Sequence, residues 1–183
     1  EAAAWRNWLL RAVAGDPAFA HEAEACAKDA AFSITRDADT REHNDTLRRK
    51  MNEQASPLDL KKYAGGIAEC EYATRYLQLR YVAAFPELRR GDVFGALDIL
   101  SENGLIAEER YHLLRGAYRD LRRILNRIRM MRGDSANALP AAPEDQAELA
   151  ARLGLEGSLL DYVEERRKAV HAAYIEILEE MRR

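Results

Sequence analysis

The chain has 183 residues, 48% of them apolar and 32% charged, with a net charge of −3. This is the composition of a soluble globular protein long enough to bury a core, and the lack of a basic excess argues against nucleic acid as a partner. No run approaches the roughly 20 apolar residues that cross a bilayer and no secretory signal opens the chain, so a cytoplasmic protein without a membrane partner is expected.

Helical periodicity runs from end to end, and the expected fold is all-α, a bundle of about six to eight helices in one domain over residues 1–183. A first helix is predicted over Trp5–Ala14, stopped by Gly15-Asp16-Pro17, where Asp16 can cap a second helix running to about Ile34. A third, from Asp39-Thr40 to about Gln54, has few apolar positions and is expected on the surface. Ser56-Pro57 ends it, because proline disfavours helical geometry in the residue before it, and an extended stretch follows.

After Gly65-Gly66, the positions Ile67, Cys70, Thr74, Leu77 and Tyr81 form one apolar stripe of a central helix. Pro86 interrupts the chain, and Val93, Leu97 and Leu100 mark a shorter helix stopped at Asn103-Gly104. A long helix is predicted over Ala107–Arg132, followed by a loop over residues 133–143 and by C-terminal helices over 144–183. Leu160, Val163, Val170, Tyr174, Ile177 and Leu178 are its expected inward positions in the last helix.

Cys26 and Cys70 are too far apart for a redox or metal pair and are expected as reduced thiols. The four histidines are scattered, without a metal-binding motif. Chemistry shows most clearly in Asp59-Leu60-Lys61-Lys62-Tyr63-Ala64-Gly65-Gly66-Ile67-Ala68-Glu69-Cys70-Glu71-Tyr72. A Gly-Gly pair at a helix start can expose amides to a phosphate or a carboxylate, with Lys61 or Lys62 adding charge. The same pattern also serves as a plain loop-to-helix turn in which Glu69 offsets the helix dipole. Glu71 stands four residues before Arg75, the spacing of a helix-surface ion pair. The long helix carries eight arginines against Glu108, Glu109 and Asp120. Arg115, Arg119, Arg122 and Arg123 are candidates for a partner surface, or for a face that is solvated or paired with acidic residues of the last helix.

The Asp59–Tyr72 segment resembles the D-[IL]-K-x-G-x-G-G-[IL]-x-[DE]-[IL]-E-F signature of the helical domain that follows the nucleotidyltransferase domain in glutamate-ammonia-ligase adenylyltransferases. Trp5–Pro17, Leu47-Arg48-Arg49-Lys50-Met51, Arg75–Tyr81, Asn103-Gly104-Leu105-Ile106 and Ala117–Arg122 resemble further family segments in the same order, so the likeness covers about residues 5–132. Tyr63 departs from a family glycine and Arg75 from a glutamine. The resemblance implies a parent enzyme that uses ATP and magnesium to transfer AMP to glutamine synthetase, or removes it, under control of the PII signal protein. It resembles the C-terminal, adenylylating half more closely. The catalytic G-S-x-x-D-x-D motif is absent from the chain, which implies a supporting domain, not catalytic alone, with its own nucleotidyltransferase domain upstream as a partner. A chain that starts at Glu1 is consistent with lost upstream sequence. On this resemblance Lys61, Lys62, Gly65, Gly66, Glu69 and Glu71 are candidates for a cleft or domain interface. The helical domain of PII uridylyltransferase and a stand-alone helical adaptor remain alternatives.

Overall fold

The computed structural model describes residues 12–33 and 38–182. Among them are seven α-helices and no strand: α1 (Pro17–Ser33), α2 (Ala38–Glu53), α3 (Ile67–Tyr81), α4 (Val93–Glu102), α5 (Glu108–Arg132), α6 (Pro143–Leu153) and α7 (Leu159–Arg182). The helix expected over Trp5–Ala14 lies outside the described residues up to residue 11, and Ala12, Val13 and Ala14 are not helical.

Local chemistry sets most boundaries. Asp16 Oδ1 accepts from the amides of Ala18 and Phe19, capping α1 at Pro17. Asp92 caps α4 through the Gly95 amide at 2.8 Å. Gly133, at φ +68°, ends α5 in the left-handed conformation that glycine adopts without a Cβ penalty.

The chain forms two compact units, each assembled from separate stretches of sequence. The first comprises Glu1–Arg49 and Thr74–Ile106. Within it, the Arg75 guanidinium lies 3.9 Å from the centre of the Phe32 ring. Gln78 Nε2 donates to the carbonyls of Leu88 and Arg90, at 2.6 and 2.9 Å, which holds the short 3-10 turn Pro86–Leu88. Leu88, Ala96, Leu97 and Leu100 are fully buried.

Three expectations change in α2 and α3. The helix α2 is not simply a surface helix, because Arg48 is 1% exposed and Asp45 is buried. The helix α3 is not buried along one stripe, because every residue from Ala73 to Leu79 is buried, Thr74, Arg75 and Gln78 among them. The Glu71–Arg75 pair suggested by spacing is also replaced, since Arg75 stacks on Phe32 and Glu71 faces Tyr118.

The second unit comprises Lys50–Ala73 and Ala107–Arg183. Its helices α5, α6 and α7 pack on one another, burying Leu114, Leu121, Leu125 and Ile128 of α5 and Val163, Val170, Tyr174 and Ile177 of α7. Leu159 is buried in place of the expected Leu160, which is half-buried. Ser158 sets that start, its Oγ accepting from the Asp161 amide.

Candidate functional site

The signature segment lies in the second unit, where Pro57–Gly66 folds as a succession of turns and not as an extended strand. Asp59 Oδ1 accepts from the amides of Lys61 and Lys62, at 2.8 and 2.7 Å, the self-bonding turn that Asp favours. The Leu60 amide donates to the Asn137 carbonyl, and the Leu139 amide donates to that of Leu58. Asp59 and Ala138 thereby form an isolated antiparallel bridge, which ties the segment to the loop before α6 and seats Leu60 in the core.

The amides expected to face an incoming anion are used inside the fold. Gly66 donates to the Tyr63 carbonyl, Ile67 to Leu60 and Ala68 to Lys61, all at 2.9 Å. The Gly65 amide donates to Glu69 Oε2 at 2.7 Å. Glu69 is 2% exposed, and the same oxygen lies 2.9 Å from His171 Nδ1 on α7. The orphan donors of a helix start are thus satisfied by the preceding loop and by a carboxylate of the helix itself.

Close approach of α7 explains the first glycine. Gly65 has φ +72°, and a Cβ there would lie 1.9 Å from the Arg167 carbonyl oxygen. At Gly66 a Cβ would come within 2.8 Å of the carbonyl oxygens of Leu60 and Tyr63. Arg167, 3% exposed, closes the arrangement. Its Nε donates to the Ala64 carbonyl at 3.1 Å and its Nη1 to that of Pro57 at 2.7 Å. Its guanidinium carbon lies 4.1 Å from the centre of the Tyr63 ring, so the tyrosine that departs from the family pattern is the stacking face for Arg167. Burial pulls the Arg167 pKa below the ordinary arginine value, against the opposing pull of Glu164.

Glu71, one turn into α3, is half-buried. Burial pushes its carboxyl above the usual glutamate range, outweighing the charges of Lys61 and Arg122 and a 3.5 Å hydrogen bond from the Tyr118 hydroxyl. Glu71→Gln in the isolated chain is therefore expected to raise the urea midpoint at pH 7. The folded-state carboxyl takes up a proton more readily than the unfolded one, so ionised Glu71 opposes folding above its folded pKa. That cost fades as pH falls towards about 4.3, the ordinary glutamate value. The advantage of Gln should shrink on acidification in parallel denaturation curves; a variant less stable than the parent at pH 7 would contradict this assignment.

The arginines of α5 have different surroundings. Arg110 pairs with Glu176 at 3.1 Å and Glu180 at 2.9 Å on α7. Arg119 pairs with Asp120, and Arg123 Nη2 donates to the Leu153 carbonyl at the end of α6. Asp120 also receives Arg166 and the Tyr162 hydroxyl, both at 2.9 Å. Arg115 is half-buried, whereas Arg119, Arg122, Lys61 and Lys62 are exposed. Gly65, Gly66 and Glu69 are buried.

Sequence reasoning missed Arg167, His171 and Tyr118. Arg167 had a signal: it falls on the inward stripe that runs through Val163, Val170 and Tyr174, where a charged residue is out of place. Among the described residues no group of three or more His, Cys, Asp or Glu is placed to hold a metal ion. No helix there is long and apolar enough to cross a membrane.

These features define an all-α domain whose Gly-Gly segment is a packing joint between a helix start and the last helix. The family model described as GlnD PII-uridylyltransferase matches residues 36–180. The chain belongs to that family. It is 38% identical over 122 residues to the bifunctional glutamine synthetase adenylyltransferase/adenylyl-removing enzyme of Xanthomonas axonopodis pv. citri (strain 306), a match covering 66% of this chain and 13% of the relative. The enzyme of the same name from Stenotrophomonas maltophilia (strain K279a) is 38% identical over 110 residues, covering 60% of this chain and 11% of the relative. The chain thus spans about an eighth of the length of the relatives it matches.

Proposed function

We propose that the chain is the helical domain of a glutamine synthetase adenylyltransferase, where it supports AMP transfer to and removal from glutamine synthetase without performing either reaction. The observation that carries this reading is the internal use of the signature's reactive groups. The Gly65, Gly66, Ile67 and Ala68 amides are used by the preceding loop and by Glu69, whose carboxylate also reaches His171 on α7, in a chain 38% identical over 122 residues to an enzyme of that name. On this reading ATP and magnesium are used by a nucleotidyltransferase domain of the longer polypeptide. That domain, glutamine synthetase and the PII signal protein are the partners of this cytoplasmic enzyme.

The description of the matching family model favours a second reading, the equivalent domain of a PII uridylyltransferase. Labelling with radioactive ATP and UTP separates the two. The longer polypeptide should label glutamine synthetase from ATP, and the 183-residue chain alone should label nothing. Labelling of PII from UTP would favour the second reading, and transfer by the chain alone would overturn the supporting role.

A further inference from the structure

Around Glu71 the second unit carries charge that its own residues leave poorly matched. Glu71 accepts one long hydrogen bond, 3.5 Å from the Tyr118 hydroxyl, although burial has removed much of its water. Lys61 and Arg122 stand close enough for their charges to act on it. Both are exposed, and neither is drawn into an ion pair among the described residues. Their neighbours differ: Arg110 is paired with Glu176 and Glu180, and Arg119 with Asp120. Arg122 instead stands 5.8 Å from the centre of the Tyr118 ring.

We propose that Lys61, Glu71 and Arg122 form a contact surface for an acidic segment of the same polypeptide outside these 183 residues, its carboxylates pairing with Lys61 and Arg122 and one of its hydrogen-bond donors reaching Glu71. Two cations around one carboxyl leave an excess of positive charge that an acidic partner complements. The relatives supply room for such a segment, since the matched region is 13% of their length. The inference rests on reading the chain as one domain of a longer enzyme.

Carbodiimide crosslinking joins an amine directly to a carboxylate in contact with it, and mass spectrometry of the crosslinked full-length polypeptide tests the surface without depending on AMP transfer. Lys61 should be joined to an Asp or Glu outside the 183 residues. The yield should fall at least about fivefold with Arg122→Glu, and on raising salt to about 1 M, where screening acts within about 3 Å. Arg122→Gln should give a smaller loss in the same direction, with thermal midpoints of the isolated variant chains within about 2 °C of the parent. Lys61 unlinked, Lys61 linked only within the 183 residues, or a natural polypeptide with no further segment would each overturn the surface. An absence of AMP transfer with the crosslink intact would instead overturn only the proposed reaction.

Discussion

Gly65→Ala should be the most damaging single substitution in the second unit, costing more than about 4 kcal/mol, the range reached only when a mutation breaks a specific structural feature. Two penalties combine. The left-handed backbone at φ +72° costs an L-residue roughly 1–2 kcal/mol by itself. The added methyl would also stand 1.9 Å from the Arg167 carbonyl oxygen and 2.6 Å from its Cα, and these are backbone atoms of a packed helix that cannot rotate aside. Gly133→Ala isolates the first penalty, because φ is +68° there and a Cβ would meet nothing within 4 Å. At roughly 2–4 °C per kcal/mol for a chain of this size, Gly133→Ala should lower the thermal midpoint by only a few degrees. Gly65→Ala should lower it by more than about 10 °C, or prevent folding. Equal effects of the two substitutions would show that α7 does not press on the Gly-Gly turn.

Arg167→Met should cost about 3–5 kcal/mol in urea denaturation, the usual consequence of removing one member of a buried charged network. The side chain donates to two carbonyls, Ala64 and Pro57, from two nitrogens of one rigid plane. Hydrogen bonds from a charged donor contribute roughly 1.5–3 kcal/mol each. Methionine fills the space but leaves both carbonyls without their donor. Arg167→Lys should recover less than about half of the loss, since a single ammonium cannot reproduce the planar fork or its stacking on Tyr63. Combining Arg167→Met with Tyr63→Leu in a double-mutant cycle should give a coupling on the order of 1 kcal/mol. Additive losses would remove Tyr63 from the arrangement.

The all-α class and most helix limits were legible because local chemistry sets them. Asp16-Pro17 caps α1, Asn103-Gly104 stops α4 and Gly133 stops α5, each through atoms within a few positions. The order of helices follows from the same signals. The joint itself was only half legible. A glycine pair announces close approach or unusual backbone, but what approaches Gly65 comes from 102 positions further along the chain. No pattern within Asp59–Tyr72 points to Arg167 or His171.

Charged residues were the main source of error, because periodicity assigns them to solvent. Arg48, Arg75, Glu69 and Arg167 are all buried; hydrogen bonds hold Glu69 and Arg167 inside, and Arg75 stacks on Phe32. The arginine-rich α5 shows the opposite behaviour. Its charge suggested a partner surface or a face solvated or paired with the acidic residues of the last helix, and such pairing is found at Arg110, with Glu176 and Glu180, while Arg123 donates to the end of α6.

The supporting role is tested most directly by measuring AMP transfer from radioactive ATP to glutamine synthetase with the full-length polypeptide carrying Arg167→Met, at a temperature where the rest of the protein stays folded. Transfer should fall by at least about tenfold, equivalent to about 1.4 kcal/mol of lost transition-state stabilisation, because the helical joint that this domain contributes is loosened. Transfer at the parental rate, with the domain shown by denaturation to be destabilised, would contradict a supporting role for it in the reaction.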